Sequence, residues 1–275
     1  MTTGNAPAAS APLSASAKGI LCMILGVFVL TTQDAITKWM TDGYHPGEIT
    51  FYRGLFSFLP ILLFATRDGG WTAFRARRLG PNILRAFFAL ATSVLIVWSF
   101  SVLPLAEALA IVFASPLILA ALSGPLLGER VGWRRWTCVG VGFIGVLLLT
   151  RPGPAGIALV VLIPLAAAVC SALRDIVTRR LGGHDSSTTI LFYTQLVAVI
   201  ATGPSLLIAF SGWPSLGDWL LFAIGGILVG IAHYFIIQAF LLAEAATVAP
   251  LRYLALVYAA AIGALVWGDL PDAWA

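Results

Sequence analysis

The chain has 275 residues, of which 60% are hydrophobic and 10% charged, with a formal net charge of +4. A soluble domain carries roughly 25% charged residues, and a chain of this length has too little interior to hide so much apolar surface. The composition therefore excludes a soluble globular protein and makes a bilayer the solvent for much of the chain. The basic residues lie between apolar runs rather than in a patch, so the charge does not imply nucleic acid. Cys22, Cys138 and Cys170 all fall inside apolar runs, which reads as small buried hydrophobes rather than a disulfide framework or a metal site. No metal or cofactor is implied.

Residues 1–17 are rich in Ala, Ser, Thr and Pro and carry no charged side chain, the composition of a flexible tail. The run from Gly19 lacks the basic region of a signal peptide apart from Lys18, so it reads as a retained first helix. A hydrocarbon core about 30 Å thick needs about 20 helical residues. Nine runs meet that length closely: 18–40, 48–66, 82–102, 104–127, 134–150, 156–178, 187–210, 217–240 and 245–267. Short connections hold the expected breakers, HPGE at 45–48, RPGPAG at 151–156, GGHDSS at 182–187 and GWPSLGD at 212–218. The runs are too long and too evenly apolar for barrel strands. With the N-terminus in the cytoplasm, twelve basic residues fall on the inner side: Lys18, Arg67, Arg75, Arg77, Arg78, Arg85, Arg130, Arg134, Arg135, Arg174, Arg179 and Arg180. Lys38 and Arg151 fall outside, and Arg53 and Arg252 lie within spans. That asymmetry orients the chain in a bacterial inner membrane with its N-terminus inside.

The sequence repeats itself. At an offset of 141, Asp34, Thr37, Ile49, Phe51, Tyr52 and Leu55 recur as Asp175, Thr178, Ile190, Phe192, Tyr193 and Leu196, and Lys38 recurs as Arg179. LAEA at 105–108 recurs at 242–245, and Gly128-Glu129 recurs as Gly268-Asp269. The chain is thus two related halves, 18–150 and 156–275. Five spans per half is odd, so the second half enters the membrane from the opposite side, an arrangement frequent among secondary transporters. WGDLPDAWA aligns with GERVGWRRW, after which the first half runs into its fifth span, so a tenth helix is expected beyond residue 275.

With its two five-helix halves, LPLAEALAIVFASPLILAALSGPLLGERVGW in the first and APLRYLALVYAAAIGALVWGDLP in the second, the chain resembles the drug/metabolite transporter superfamily, in its EamA branch. The resemblance covers nearly all of 18–275. It implies an all-α polytopic membrane protein of ten helices in two inverted five-helix repeats, around a central cavity lined by spans 1, 3, 4, 6, 8 and 9. It also implies export or exchange of small metabolites. Bacterial amino-acid exporters, including the aromatic type, are the most similar in character; uptake systems for riboflavin or S-adenosylmethionine are similar too. The superfamily has no universal substrate motif, so no ligand residue carries over.

Polar side chains at membrane depth are the candidates for function, and each has a plainer alternative. Asp34/Lys38 and Asp175/Arg179 share helix faces at i, i+4. They read as snorkelling pairs at helix ends or as gating and coupling groups; Asp34, beside Gln33 and deeper than one turn, is the stronger functional candidate. A charge in mid-span costs about 2.5–3.5 kcal/mol on insertion scales, so Arg53 and Arg252 need partners. Asp34–Arg53 and Asp175–Arg252 are the expected pairs, with a substrate carboxylate as the alternative partner for Arg252. Glu107 and Glu244 open helices, where an acid favours the positive end of the dipole. His233, Tyr234 and Gln238 line one span and either face a cavity or bond across helices. Trp98, Ser99, Ser115, Tyr193, Tyr253 and Tyr258 complete the candidate cavity lining, and an aromatic lining suits an apolar or aromatic solute. Gly226-x-x-x-Gly230 reads as a helix-packing motif.

These features favour a secondary transporter for a small metabolite. No G-x-x-x-x-G-K-[ST] is present, so a gradient rather than ATP is the expected driver. An intramembrane enzyme finds no H-E-x-x-H and no Ser/His or paired-Asp arrangement. A channel or assembly subunit is the remaining rival, and an inverted repeat argues against a passive scaffold. Sequence does not fix the oligomeric state.

Overall fold

A computed structural model describes residues 14–41, 43–102, 111–129, 159–182, 184–208 and 210–266, with isolated positions between 132 and 144. All regular elements among the described residues are helical. The principal helices are α1 (Ala15–Met40), α2 (Pro46–Phe56), α3 (Phe58–Arg67), α4 (Leu79–Val102), α5 (Ser115–Leu127), α6 (Leu162–Leu181), α7 (Ser187–Thr202), α8 (Leu216–Leu242) and α9 (Leu254–Val266). Five runs are long and apolar enough to cross a membrane: α1, Pro46–Arg67, the start of α4 to Ile96, Ser187–Ile208 and α8. α6 has the length, 20 residues, but carries Arg174, Asp175, Arg179 and Arg180, a composition suited to an interior helix. The expected span at 134–150 lies outside the described residues save for isolated positions.

Caps and prolines set the boundaries. α1 begins at Ala15, inside the stretch expected to be tail, because the Ser14 hydroxyl accepts from the Ala17 N–H. The expected span 48–66 is two stacked helices. Pro60 has no N–H for the Phe56 carbonyl, and the chain turns at Ser57. Pro204 divides the span expected at 187–210 into α7 and a short piece, Ser205–Ile208. The span expected at 245–267 is three pieces: a turn of α-helix at Ala245–Val248, a 3₁₀ segment at Ala249–Tyr253 around Pro250, and α9. In the first half, residues 113–114 form a turn before α5, which has Pro116 in its first turn.

Packing shows the repeat in three dimensions. α1 runs antiparallel to α8: a Cβ on Gly19 would meet Ala243 and Ala239, one on Gly26 would meet Ile236 and Ala232, and Gly225 lies against Ile36. α4 and α6 form the next most extensive pair, with Arg85 near the start of α4 reaching Thr178 near the end of α6. Exchanging the halves turns the first pair into the second. The boundaries repeat as well. Met40 and Leu181 end the first helix of each half, and Pro46 and Ser187 begin the second, 141 positions apart in both cases. α2 and α7 meet across the pseudo-symmetry axis, where Gly54 lies against Val199, and Phe58 at the start of α3 lies against Phe192 of α7.

Each half clasps the other at its own end. At the Met40 end, the fully buried Glu48 accepts from the Ser211 N–H (2.9 Å) and hydroxyl, in the loop before α8. At the Leu181 end, Asp185 accepts from the N–H groups of Arg77 (2.7 Å) and Arg78 (3.3 Å), in the loop before α4, and from Asn82 Nδ2 (2.8 Å) in the first turn of α4. Thr189 Oγ1 donates to the Ala73 carbonyl at 2.6 Å beside it. Asp185→Ala would orphan three donors, a loss of about 1–3 kcal/mol for each group left unsatisfied in a buried setting. Trypsin should then cut at Arg75, Arg77 or Arg78 several-fold faster in detergent-solubilised protein; an unchanged rate would contradict the clasp.

Candidate functional site

Three guanidinium groups and one carboxylate converge within the bundle. Asp175 on α6 is 2% exposed, and its Oδ1 takes Arg174 Nε at 2.9 Å and Nη2 at 2.8 Å. Its Oδ2 pairs with Arg252 Nη1, from the 3₁₀ segment between α8 and α9. Ser171, one turn before Asp175, accepts from Arg174 Nη2 (3.0 Å) and Arg252 Nη1 (3.4 Å), and Ser115 at the start of α5 donates to it at 3.3 Å. Arg85 is 2% exposed; its Nε donates to Thr178 at 2.9 Å and its Nη1 to Thr194. The expected Asp175–Arg252 pair is therefore a direct ion pair, but it sits in a larger network. Arg85 and Arg174, expected as inner-side positive charges, are buried members of that network. A hydropathy window averages over a whole helix turn and cannot show which face a charge takes. Setting these two aside leaves ten of the basic residues expected on the inner side against the two expected outside.

The matching region of the first half is built differently. Asp34 shares a face of α1 with Met23, Val27 and Leu30, which pack with Ala172 and Ile176 of α6 and with the start of α9. Asp34 is exposed, yet it lies on the side of α1 opposite the exposed Leu21, Leu25 and Phe28, so it turns toward the bundle rather than lipid. The lipid face of α1 is marked instead by Leu21, Leu25, Phe28 and Trp39. The expected Asp34–Arg53 pair is not a direct contact. The two interact through space, while Arg53 Nη1 donates to Thr37 at 3.1 Å. Gln33 is 1% exposed and donates to the same Thr37 hydroxyl. His233 on α8 holds the Val229 carbonyl with Nδ1 at 2.9 Å, which fixes the Nδ1–H tautomer and leaves Nε2 as the acceptor.

Several sequence candidates bond between helices instead of converging. Tyr234 stacks on Phe64 with ring centroids 4.0 Å apart, Gln238 accepts from Ser187, and Tyr193 donates to the Phe74 carbonyl at 3.2 Å. Ser99 donates to Leu95 one turn back, and Trp98 is 55% exposed. Tyr253 stacks on Phe113 and donates to its carbonyl at 2.9 Å, and Tyr258 meets Phe28 edge-on at 5.3 Å. Glu107 lies outside the described residues. Glu244 holds the N-cap position of Ala245–Val248, but its side chain makes no capping bond.

That bond comes from Glu129, which sequence reading treated only as part of the repeat. Its carboxylate accepts from the Ala245 and Ala246 N–H groups at 3.3 and 3.4 Å and pairs with Arg179 at 3.1 Å. Arg179 Nη1 also reaches the Phe240 and Leu241 carbonyls, and exposed Lys38 is its repeat counterpart. An open pocket of about 660 Å³ lies beside this brace, lined by Leu126, Glu129, Arg179, Arg180 and Leu241 among others. The brace ties α5, α6, α8 and the helical turn Ala245–Val248, which leads into the segment that bears Arg252, at the Leu181 end. Two features could have flagged it: an acid right after the helix-ending Gly128, and a basic residue at the last turn of α6.

The model of the EamA-like transporter family matches residues 17–151 and again 157–275, one copy per half. The chain belongs to the EamA-like transporter family. It is a multi-pass membrane protein and a transporter. As an EamA-like chain it is 27% identical over 261 residues to the S-adenosylmethionine uptake transporter of Rickettsia prowazekii (strain Madrid E), covering 92% of this chain and 86% of that one. It is 28% identical over 255 residues to the riboflavin transporter of Rhizobium johnstonii, covering 92% and 84%. It is 25% identical over 256 residues to the pseudopaline exporter CntI of Pseudomonas aeruginosa (strain UCBPP-PA14), covering 93% and 89%. A crystal structure superimposes with a TM-score of 0.80 at 18% identity, covering 93% of this chain and 90% of its own, which shows the shared fold.

Proposed function

We propose that this EamA-like protein is a secondary transporter of the bacterial inner membrane, N-terminus in the cytoplasm, that carries a small carboxylate-bearing metabolite by alternating access. An amino acid or an amino-acid-derived solute is the substrate class. The observation that carries this reading is the excess of guanidinium over carboxylate: Arg85, Arg174 and Arg252 stand against Asp175 alone among the described residues of the network. Uncompensated positive charge in a membrane interior is costly, and a guanidinium fork matches a carboxylate in shape and charge. Arg252 sits on a break in a helix rather than inside one, where a modest change of backbone can present it to the cavity. Release toward the Leu181 end then requires the Glu129 brace to part.

Amino-acid export, the narrower expectation, gains no separate support from the relatives, whose names divide between uptake and export. What the arginines serve is the carboxylate, which amino acids and S-adenosylmethionine share and riboflavin lacks. The experiment is competition against labelled S-adenosylmethionine and labelled phenylalanine in proteoliposomes. Uptake of at least one should be inhibited by free amino acids and at least tenfold less by their methyl esters. Equal inhibition by acids and esters, or uptake of riboflavin alone, would contradict the carboxylate site.

A further inference from the structure

We propose that Asp34 is a second substrate-binding group, a subsite for a cationic group that the solute carries several bonds away from its carboxylate. It rests on Arg252 holding that carboxylate. The observation is a broken symmetry between repeat counterparts. Asp175 is saturated by Arg174, Arg252 and the network around Ser171. Asp34 occupies the same place in the first half, yet among the described residues its carboxylate has no hydrogen bond and no ion pair at contact distance. The position that matches Arg174 is Gln33, whose amide is buried and turned to Thr37. The cation that lies near, Arg53, also bonds Thr37. A carboxylate at membrane depth without donors marks a functional group by default.

Register places this subsite relative to the arginines. Ile36 lies beside Gly225, and Gly26 lies between Ala232 and Ile236, so Asp34 is level with about residue 227 of α8. Gly182 lies beside Leu241 at the end of α6, which puts Asp175 about seven residues further along α8, roughly 10 Å down the bundle axis. An α-ammonium sits next to its carboxylate and cannot reach both levels. A solute with its carboxylate at Arg252 and a second cation along its length can. His233 lies between the two levels, and with its Nδ1–H committed to Val229 it offers only an acceptor.

Two matched probe pairs test this, each keeping the amino acid end and removing only the remote cation: S-adenosylmethionine against S-adenosylhomocysteine, and lysine against norleucine. Binding is read by ligand-induced thermal shift of the purified protein, titrated to give affinities. In the wild type the cationic member of at least one pair should bind at least tenfold more tightly. Asp34→Asn should abolish that preference while leaving the neutral member's affinity within about twofold. Arg252→Gln should weaken both members equally and keep the preference. No preference in the wild type, or a preference that survives Asp34→Asn, overturns the subsite. A preference lost with Asp34→Asn but no loss with Arg252→Gln keeps the cation subsite and overturns the carboxylate reading instead.

Discussion

Arg252→Gln is expected to abolish saturable transport while leaving a folded protein. The guanidinium bonds Asp175 and Ser171 from the 3₁₀ segment Ala249–Tyr253. Removing it does not strand Asp175, because Arg174 still holds Oδ1 at 2.8 Å. On the proposed reading, what is lost is the group that exchanges Asp175 for a substrate carboxylate. Truncating one member of a desolvated charge pair costs about 2–5 kcal/mol in binding, which corresponds to roughly 30- to 5,000-fold in affinity. Arg252→Lys should recover only part of this, since an ammonium restores the charge without the fork. Initial uptake rates in proteoliposomes, beside size-exclusion profiles of the same preparations, give the comparison. Wild-type rates in Arg252→Gln would mean that the network is purely structural.

Gly226→Ala is expected to be the most destabilising of conservative single substitutions on α8. A Cβ at Gly226 would lie 2.5 Å from Phe56 Cβ and 2.6 Å from the Arg53 carbonyl. The second of these is backbone, which cannot rotate away, so α2 and α8 must separate. Overpacking of this kind costs about 1–3 kcal/mol and sometimes more. Gly230 repeats the contact one turn on, with Pro60 at 2.5 Å, so both positions of the motif hold α8 against the α2–α3 junction. The displaced helix also bears Arg53 and its bond to Thr37. A lowered apparent melting temperature in detergent, larger than that of an alanine at Gly225, where the nearest atom is 4.0 Å away, is the expected result. Equal melting of the two variants would contradict close packing at Gly226.

Much of the architecture was legible because it rests on local chemistry. Apolar runs of membrane length gave the spans, and the 141-residue offset fixed the inverted plan that reappears as the exchange of α1–α8 with α6–α4. The glycine pair on α8 announced a helix contact. Proline breaks were harder to place. A proline within an apolar run is compatible with a kink, a stacked pair of helices or a 3₁₀ segment, and the neighbouring helices decide among these at Pro60, Pro204 and Pro250.

The site was only half legible. Asp175–Arg252 followed from needing a partner for a mid-span charge. Arg85 and Arg174 did not, since their place near helix ends makes them look like flanking charges; Arg85 is turned inward by Thr178 and Thr194 on other helices, and Arg174 folds along its own helix onto Ser171 and Asp175. Aromatic and amide candidates such as Tyr234 and Gln238 were read by depth alone. Depth does not distinguish a cavity wall from a helix contact, and here Phe64 and Ser187 take them.

Counterflow tests the central claim most directly. Proteoliposomes loaded with unlabelled S-adenosylmethionine or amino acid are diluted into a trace of the labelled solute. Alternating access through one carboxylate site predicts a transient accumulation of label above equilibrium for at least one of these solutes, saturating with the internal load and absent in Arg252→Gln. Label that merely equilibrates, at a rate independent of the load and unchanged by the substitution, would contradict it and indicate a passive pore.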